Sequence, residues 1–281
     1  TFHGHVFHGY FNKAVTSIFK IIERYLAKKS DAIVAISSLQ KDELCFKYSI
    51  CTPEKTHIIP LGFDLDRFTQ KQDEKRDIFR RKYFLKEDEI AIGIIGRLAP
   101  IKNHSLFINS INHLKNSTKK RIKAFIIGDG DTKTSLENYC TQLNLMWNAS
   151  GDNNPDIVFT SWIKEVDVAL AGLDMVCLTS LNEGTPVSLI EAQAASRYIV
   201  STNVGGIKDI LNPECGLLSE PDDPEAFNKN LLYAVENFDS VKQKASLAKE
   251  EVIQKFGYQR LCDDMEKLYG ALLAKKKGKL L

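Results

Sequence analysis

Two carboxylates flank a glycine turn in the stretch NEGTPVSLIEA, residues 182–192. Glu183 and Glu191 are separated by seven residues. The preceding run DMVCLTS (174–180) is short and apolar, which predicts a buried strand. Glu183 is then expected at the carboxyl end of that strand, where open parallel sheets bind their ligands. Carboxylates there accept hydrogen bonds from sugar hydroxyls, although a solvated turn acid and a helix-surface acid explain the same residues equally well.

A helix is predicted to begin between these two acids. Thr185 is a good N-cap and Pro186 suits the first helical position, so a helix is expected from Pro186 to about Ser196. Gly184 lets the backbone bend just before it. Helix N-termini present free N–H groups and a partial positive charge, which favours phosphate at this place.

Two cations follow another predicted strand, residues 90–96, in the stretch GRLAPIKNH. Arg97 leaves the strand end, and Lys102 comes five residues later, just before a predicted helix. A guanidinium and an ammonium at this edge can hold a diphosphate. A pair of solvated surface cations is the alternative that the stretch alone favours.

Aspartates occur as DxD pairs at two places. Asp129 and Asp131 lie in GDGD (128–131), after a predicted strand, and Asp64 and Asp66 form the second pair. Paired aspartates can hold a divalent metal beside phosphate, although ordinary loop acids are the more common case. The dinucleotide-binding pattern GxGxxG is absent from the sequence.

Glycine-containing turns are predicted at the ends of four strands, the last of them in NVGGIKDIL (203–211). One such turn is ordinary, but four at the carboxyl edge of one sheet indicate a surface on which a ligand lies.

Three of the six histidines lie in the opening TFHGHVFHGY. A turn at Gly4 would bring His3 and His5 together, which suits a general base or a metal site. Without an acidic or cysteine partner nearby in sequence, a histidine that contacts a hydroxyl in a cleft is the better hypothesis.

The helix predicted over 12–29 is both basic and amphipathic. A membrane-surface helix and an ordinary surface helix with a core-facing stripe both fit this pattern. The apolar positions of the pattern are Val15, Ile18, Ile22, Tyr25 and Leu26, and the basic ones are Lys13, Lys20, Arg24, Lys28 and Lys29.

The totals describe a globular protein of 281 residues with a net charge of +2. That charge gives no electrostatic case for nucleic acid, and no apolar run has the length of a membrane span. Six scattered cysteines without a CxxC pair indicate reduced thiols in a cytosolic protein. Because the chain opens on Thr1 and TFHGHVFHGY looks internal, we expect a fragment.

Strand-like runs alternate with helical patterns, which predicts an α/β fold with parallel sheets covered by helices on both faces. The strands are expected at 32–37, 56–60, 90–96, 122–128, 156–160, 174–179 and 198–202. The helices are expected near 12–29, 38–48, 103–117, 132–145, 164–172, 186–196, 206–211, 224–237, 240–255 and 258–274.

A polar stretch from Pro60 to about Arg81 interrupts this rhythm and is interpreted as a linker. Residues 1–62 are then the back end of an N-terminal Rossmann-like domain on the acceptor side. Residues 63–250 are expected to form a complete second Rossmann-like domain, and 251–281 a helix that crosses back towards the first.

Together these stretches resemble glycosyltransferase family 4, retaining enzymes with the GT-B fold of two Rossmann-like domains. GRLAPIKN, GDGD, FTSW, NEGTPVSLIEA and NVGGIKDIL resemble its nucleotide-sugar domain in this order. TFHGH and SDAIVAISSLQKDEL resemble the back end of its first domain, and HIIPLGFDLDRF resembles the segment between domains. That segment usually has Asn where Leu61 stands.

The resemblance implies a role for each candidate residue. Arg97 and Lys102 would grip the donor diphosphate, and Glu191 would hold the ribose hydroxyls. Glu183 would lie near the transferred sugar as a catalytic residue, as would His3, with His5 as its rival. The backbone bed for sugar and phosphate would be Gly184, Thr185, Pro186 and Val187. Ser161 and Trp162 would form the base pocket, although Ser161 stands where the family often has glycine.

The implied reaction moves a sugar from a nucleotide donor, UDP favoured over GDP, to an acceptor hydroxyl in polysaccharide or glycolipid biosynthesis. Arg97, Lys102 and the helix N-terminus would stabilise the leaving diphosphate without a metal or other cofactor. The expected partners are the nucleotide-sugar donor and a sugar or lipid-linked acceptor, with peripheral contact to the cytoplasmic face of a membrane. Because the family's opening βα units are absent, slow transfer or none is expected. The alternatives are a nucleotide-sugar epimerase of the same fold and a non-catalytic nucleotide-binding fragment.

Overall fold

The computed structural model describes residues 1–3, 13–247 and 249–277. The chain divides into two compact units. The first combines Thr1–Asp64 with Gln254–Leu281, and the second is the continuous segment Leu65–Ile253.

The helices and strands alternate along most of the chain. The helices are α1 (Lys13–Lys29), α2 (Ser38–Asp42), α3 (Gln72–Lys82), α4 (His104–Ser117), α5 (Lys133–Gln142), α6 (Val166–Gly172), α7 (Val187–Ala194), α8 (Ile207–Ile210), α9 (Pro224–Glu236), α10 (Phe238–Leu247), α11 (Lys249–Phe256) and α12 (Tyr258–Lys277). The strands are β1 (Ile33–Ala35), β2 (Thr56–Ile58), β3 (Glu89–Ile95), β4 (Arg121–Ile127), β5 (Trp147–Asn148), β6 (Ile157–Ser161), β7 (Met175–Leu178), β8 (Tyr198–Thr202) and β9 (Gly216–Ser219). A π-helical turn, Glu43–Lys47, follows α2.

The first unit is built around the parallel pair β1 and β2, in which Ile33 lies opposite Thr56. Because successive side chains of a strand point to opposite faces, β1 contributes to two clusters. Ile33 and Ala35 pack with Ala27 and Leu44, whereas Val34 packs with Leu268 of α12. The helix α12 therefore shares a core with strands that are distant in sequence.

Helix α1 carries apolar side chains on two faces. Thr16 and Ala27 are buried, and Phe19 packs against the first cluster. A core-facing stripe was one interpretation of the apolar positions, and for four of them it is wrong. Ile18, Ile22, Tyr25 and Leu26, together with Ile21, have 47–63% of their surface exposed.

The second unit contains a seven-stranded sheet with the order β5-β6-β4-β3-β7-β8-β9. Every ladder in it is parallel, which confirms the predicted α/β class. From β3 the chain proceeds outward to β4 on one side, and β7 begins the other side. The neighbours β3 and β7 therefore flank the topological switch point, where ligands bind in open α/β sheets.

The predicted linker from Pro60 to Arg81 is wrong in its second half, which forms α3. This helix packs on α6, with Phe79 buried against Gly172. Arg76 and Arg80 reach Asp174 at 2.7 and 3.3 Å. Lys75 also reaches Asp167 of α6 at 2.8 Å. The helix is anchored by these three ion pairs and one aromatic ring, so its charged sequence lacks the apolar stripe that identifies a packed helix.

Candidate functional site

The loops that follow β3 and β7 meet at the switch point of the second unit. The N–H of Leu181 donates to the carbonyl of Ile101 at 2.8 Å, and the Thr179 hydroxyl donates to the carbonyl of Lys102 at 2.9 Å. Since the carboxyl ends of neighbouring parallel strands lie at one edge, the short helical turn Pro100–Lys102 is fixed beside the loop 181–186.

Lys102 and Glu183, both predicted as site residues, form an ion pair across this point. The Nζ of Lys102 lies 2.5 Å from Oε1 of Glu183, and their side chains are 26% and 10% exposed. The same oxygen accepts a hydrogen bond from the Ser180 hydroxyl at 2.6 Å. Thr202 in turn donates to the carbonyl of Ser180 at 2.7 Å. A partly buried ammonium that is held in place is a suitable group for an anionic ligand.

Ser180 was missed by the sequence reasoning. It is fully buried, and its hydroxyl fixes the carboxylate of Glu183 from three residues upstream. Its position just before a turn acid in TSLNEG was a weak signal, because serine in a loop usually bonds to backbone or water.

Helix α7 begins one residue later than predicted. Pro186 is its N-cap, in extended conformation, and Val187 is the first helical residue. Thr185 is not the cap, and among the described residues no side chain caps this end of the helix. The amide of Leu189 donates to the carbonyl of Pro186 at 3.1 Å, so the first-turn amides available to an anion near Gly184 and Thr185 are those of Val187 and Ser188.

A glycine that follows β8 packs closely against the loop that carries Glu183. Gly205 has a φ of +55°, and a Cβ there would lie 1.8 Å from the carbonyl oxygen of Glu183. The next amide, of Gly206, donates to the carbonyl of Gly184 at 3.1 Å. Only a residue without a side chain allows this close approach of the two turns.

Glu191 lies in the second turn of α7 and is mostly buried. Burial raises the pKa of its carboxyl to about 7. The charge of Arg67 lowers this pKa by a smaller amount, and the charge of Asp167 raises it further. A carboxyl whose ionisation is this costly requires hydrogen-bond donors to stabilise its charge, and ribose hydroxyls are donors of that kind. Arg67 and Asp167 were not among the predicted site residues.

Arg97 is at the predicted edge, but it is not part of the ion pair of Lys102. Its guanidinium lies 3.1 Å from Asp131, and both side chains are largely exposed. The first aspartate of GDGD, Asp129, accepts hydrogen bonds from the Ser161 hydroxyl at 2.6 Å and from the amide of Gly130 at 2.8 Å. These bonds lower the pKa of Asp129, the one from Ser161 most. GDGD is thus engaged with a cation and a turn rather than arranged as an open acidic pair.

No cluster of three or more His, Cys, Asp or Glu side chains within the described ranges is arranged to hold a metal ion.

Ser161 is the last residue of β6, and Trp162 follows it. Ser161 has a φ of +57°, a left-handed conformation that favours glycine, and its carbonyl accepts from the amide of Gly128 at 3.1 Å. This left-handed backbone explains why the family that the sequence resembles often has glycine where Ser161 stands. The side chain of Trp162 is 59% exposed, so its indole is accessible to a planar base.

His3 belongs to the first unit and is exposed. Its rival His5 lies outside the described residues. Over those residues, no helix is both long and apolar enough to cross a membrane.

The fold and the site define a glycosyltransferase with the GT-B fold. The family model for glycosyl transferases group 1 matches residues 75–251, more than half of the chain, so the chain belongs to this family. The model for glycosyltransferase family 4 matches residues 1–67. The predicted family and enzyme class are confirmed.

Individual relatives agree. UDP-Gal:alpha-D-GlcNAc-diphosphoundecaprenol alpha-1,3-galactosyltransferase of Escherichia coli is 26% identical over 279 residues, which are 98% of this chain and 69% of that protein. This chain covers 34% of the length of one further curated relative and 60% of the length of another.

Solved structures show the same fold. A glycosyltransferase from Rickettsia africae ESF-5 has a TM-score of 0.77 at 20% identity, over 94% of this chain and 68% of that one. Anabaena Alr3699/HepE in complex with UDP has a TM-score of 0.75 at 17% identity, over 90% and 68%.

Proposed function

We propose that this chain is the donor-binding part of a retaining glycosyltransferase that uses a UDP-sugar in preference to a GDP-sugar. The observation that carries the proposal is the ion pair between Lys102 and Glu183 at the switch point, beside the uncapped start of α7. A cation, a carboxylate and free amides at one place suit a sugar linked to a diphosphate.

In this proposal the donor diphosphate replaces the carboxylate of Glu183 as the partner of Lys102. Lys102 turns from Glu183 to the phosphate oxygens, and Arg97 leaves Asp131 to join it. As the bond from the sugar to the diphosphate breaks, negative charge develops on the phosphate oxygen. The acceptor hydroxyl oxygen bonds to the anomeric carbon, and its proton passes to that phosphate oxygen. The two cations and the backbone N–H groups of Thr185 and Val187 stabilise that charge without a metal.

The remaining residues would hold the two ends of the donor. Glu183, released from Lys102, accepts hydrogen bonds from hydroxyls of the transferred sugar, and Glu191 accepts them from the ribose. Ser161 and Trp162 border the base. His3 is proposed as a catalytic residue, a role that only the family resemblance supports.

The relatives support the substrate class. The E. coli relative is named for UDP-galactose and a diphosphoundecaprenol acceptor, and the Anabaena structure contains UDP. We infer an acceptor hydroxyl on a sugar or lipid-linked sugar in polysaccharide or glycolipid biosynthesis at a cytoplasmic site.

Calorimetric titration, together with thermal unfolding of the chain in the presence of UDP and of GDP, tests the donor. A ligand at about 100 times its Kd should stabilise the folded chain by about 2.7 kcal/mol. Lys102→Ala should lose most of this effect, whereas Lys119→Ala, an exposed lysine beyond the other end of α4, should keep it. Equal binding by both variants, or no binding of either nucleotide by the parent, contradicts the proposal.

Transfer and isomerisation are separated by omitting the acceptor. Without an acceptor, a transferase does not convert a UDP-sugar into a different UDP-sugar and at most hydrolyses it slowly. An epimerase converts it into a different UDP-sugar. Product analysis of UDP-galactose and UDP-glucose after incubation with the chain alone therefore decides between the two enzymes.

We further propose that α1 lies on an anionic membrane surface. Five large apolar side chains, spaced as on one helical face, are exposed, and four basic residues from Lys20 to Lys29 accompany the single acid Glu23. This pattern is typical of helices that lie in a lipid headgroup region.

Co-sedimentation with phosphatidylglycerol vesicles and with phosphatidylcholine vesicles tests this contact. Binding should require the anionic lipid and weaken with salt, and Ile21→Glu should reduce it. Leu247→Glu, a change at another exposed apolar side chain outside α1, should leave it unchanged. Equal retention by both vesicle types, or equal effects of the two substitutions, would contradict it.

A further inference from the structure

The first unit contains two cysteines whose sulfur atoms face each other. Cys45 lies in the π-helical turn Glu43–Lys47, and Cys51 follows four residues after that turn. Their Sγ atoms are 3.9 Å apart, and both thiols are free. A disulfide requires about 2.05 Å between its sulfurs, so an approach of about 1.9 Å, shared by two side chains that rotate about χ1, would join them.

The hydroxyl of Thr56 lies beside both sulfur atoms. The thiol of Cys45 donates to this oxygen at 3.5 Å, and Sγ of Cys51 lies 3.2 Å from it. The same hydroxyl reaches the carbonyl of Thr52 at 2.8 Å, a contact that involves neither sulfur. Joining the two sulfurs therefore leaves the Thr56 hydroxyl with a partner and avoids the cost of an unsatisfied polar group.

The two thiols differ in their access to solvent. Cys45 is only 8% exposed, whereas Cys51 is partly exposed, so an external oxidant reaches Cys51 first. Burial raises the pKa of the Cys51 thiol by more than the hydrogen bond of Thr56 and the charge of Lys41 lower it. Because the thiolate is the nucleophile and is a small fraction at pH 7, the pair suits sustained rather than brief oxidation.

We propose that Cys45 and Cys51 are a site of reversible oxidation by a low-molecular-weight disulfide such as oxidised glutathione. The thiolate of Cys51 attacks one sulfur of the oxidant, and the first glutathione leaves. The thiolate of Cys45 then attacks Sγ of Cys51 in this mixed disulfide and displaces the second glutathione. The chain loses two electrons and the two thiol protons, and the oxidant takes them up as two molecules of reduced glutathione.

The segment that this disulfide would close is the one that contacts helix α1. Arg24 of α1 donates from Nε to the carbonyl of Ser49 at 2.9 Å and from Nη2 to that of Tyr48 at 2.7 Å. Both carbonyls lie between the two cysteines. A cross-link at the ends of this segment restricts the unfolded chain, so the first unit should be more stable when it is oxidised.

Equilibration of the full chain in buffers of different ratios of reduced to oxidised glutathione tests the site. Samples are quenched with acid, their free thiols are alkylated, and tryptic peptides are identified by mass spectrometry. Trypsin separates Cys45 in DELCFK (42–47) from Cys51 in YSICTPEK (48–55), so the disulfide appears as one linked species.

The effective concentration of the two thiols, obtained from the fraction linked at each ratio, should be more than about tenfold higher in the folded chain than in urea. The reason is that the fold holds the sulfurs together, whereas the unfolded segment does not. The same factor describes the gain in stability of the first unit on oxidation, because the two equilibria are linked.

Three variants separate the steps. Cys45→Ser should stop at the mixed disulfide, with glutathione on Cys51, and Cys51→Ser should leave the buried Cys45 unmodified. Cys262→Ser, at an exposed cysteine of the same unit, is the matched control and should form the linked species as the parent does. The proposal is overturned if no linked species forms while Cys262 carries glutathione, or if the effective concentration is the same in the folded chain and in urea.

Discussion

Glu191 provides the sharpest test of the site, because α7 holds its carboxyl where ionisation is costly. Burial raises its pKa from 4.5 to about 7. The folded state therefore retains a proton that the unfolded chain has lost at intermediate pH. A binding role explains why such a group is present, since a ligand with hydroxyl donors would offset the cost.

The sign of the effect on stability follows from proton uptake. Between pH 4.5 and 7 folding takes up a proton at Glu191, so its contribution to stability is complete below pH 4.5 and declines as the pH rises to 7. At about 1.4 kcal/mol per pH unit, this interval corresponds to a loss of about 3 kcal/mol. Glu191→Gln removes the titration and should avoid that loss.

Urea unfolding of parent and variant at pH 4.5 and pH 8 measures the difference. Both tryptophans, Trp147 and Trp162, lie in the second unit, so their fluorescence reports its unfolding. Glu191→Gln should match the parent at pH 4.5 and exceed it by about 3 kcal/mol at pH 8. Glu87→Gln, an exposed acid of the same unit, should show a difference that does not change with pH. A constant difference for Glu191→Gln as well would refute the reasoning.

Three further changes test the loops of the site and the helix α3, which was not predicted from the sequence. Gly205→Ala places a Cβ against the carbonyl of Glu183, and UDP affinity should fall more than about tenfold while circular dichroism stays unchanged. Ser180→Ala removes a hydrogen bond to the same carboxylate; UDP affinity should fall by less than for Gly205→Ala, and an unaltered Kd contradicts a positioning role for the hydroxyl. Phe79→Ala should cost about 3–5 kcal/mol in urea unfolding, as expected for a buried aromatic, whereas the exposed neighbour Ile78→Ala should cost less than about 1 kcal/mol.

The position of the site could be predicted from the sequence, because strand ends are readable and parallel topology brings them to one edge. That logic correctly placed Lys102 and Glu183 on loops that meet. The sequence could not show which residue each charged side chain of the site pairs with. Arg97 pairs with Asp131, 34 residues away, and no local pattern encodes such a contact.

Helix α3 was missed because its partner is remote. Its arginines are stabilised by Asp174, nearly one hundred residues later, so the segment reads as solvated when taken alone. In α1 the periodicity was recognised, but it does not say which apolar face turns inward. The strands β5 and β9 are two and four residues long and lie at the edges of the sheet, so they offered little pattern to detect.

The discontinuity of the first unit has a consequence for how the protein is made. About 190 residues separate Asp64 from Gln254, the two places where the chain leaves and re-enters this unit. At about 5–20 residues per second, a ribosome needs roughly 10–40 s to cover that distance. During this interval Val34 and Ile59 lack Leu268, their partner on α12, whereas the continuous second unit can fold as it emerges. The nascent chain thus exposes an apolar surface until its last helix is synthesised, and that period is when a chaperone would be needed.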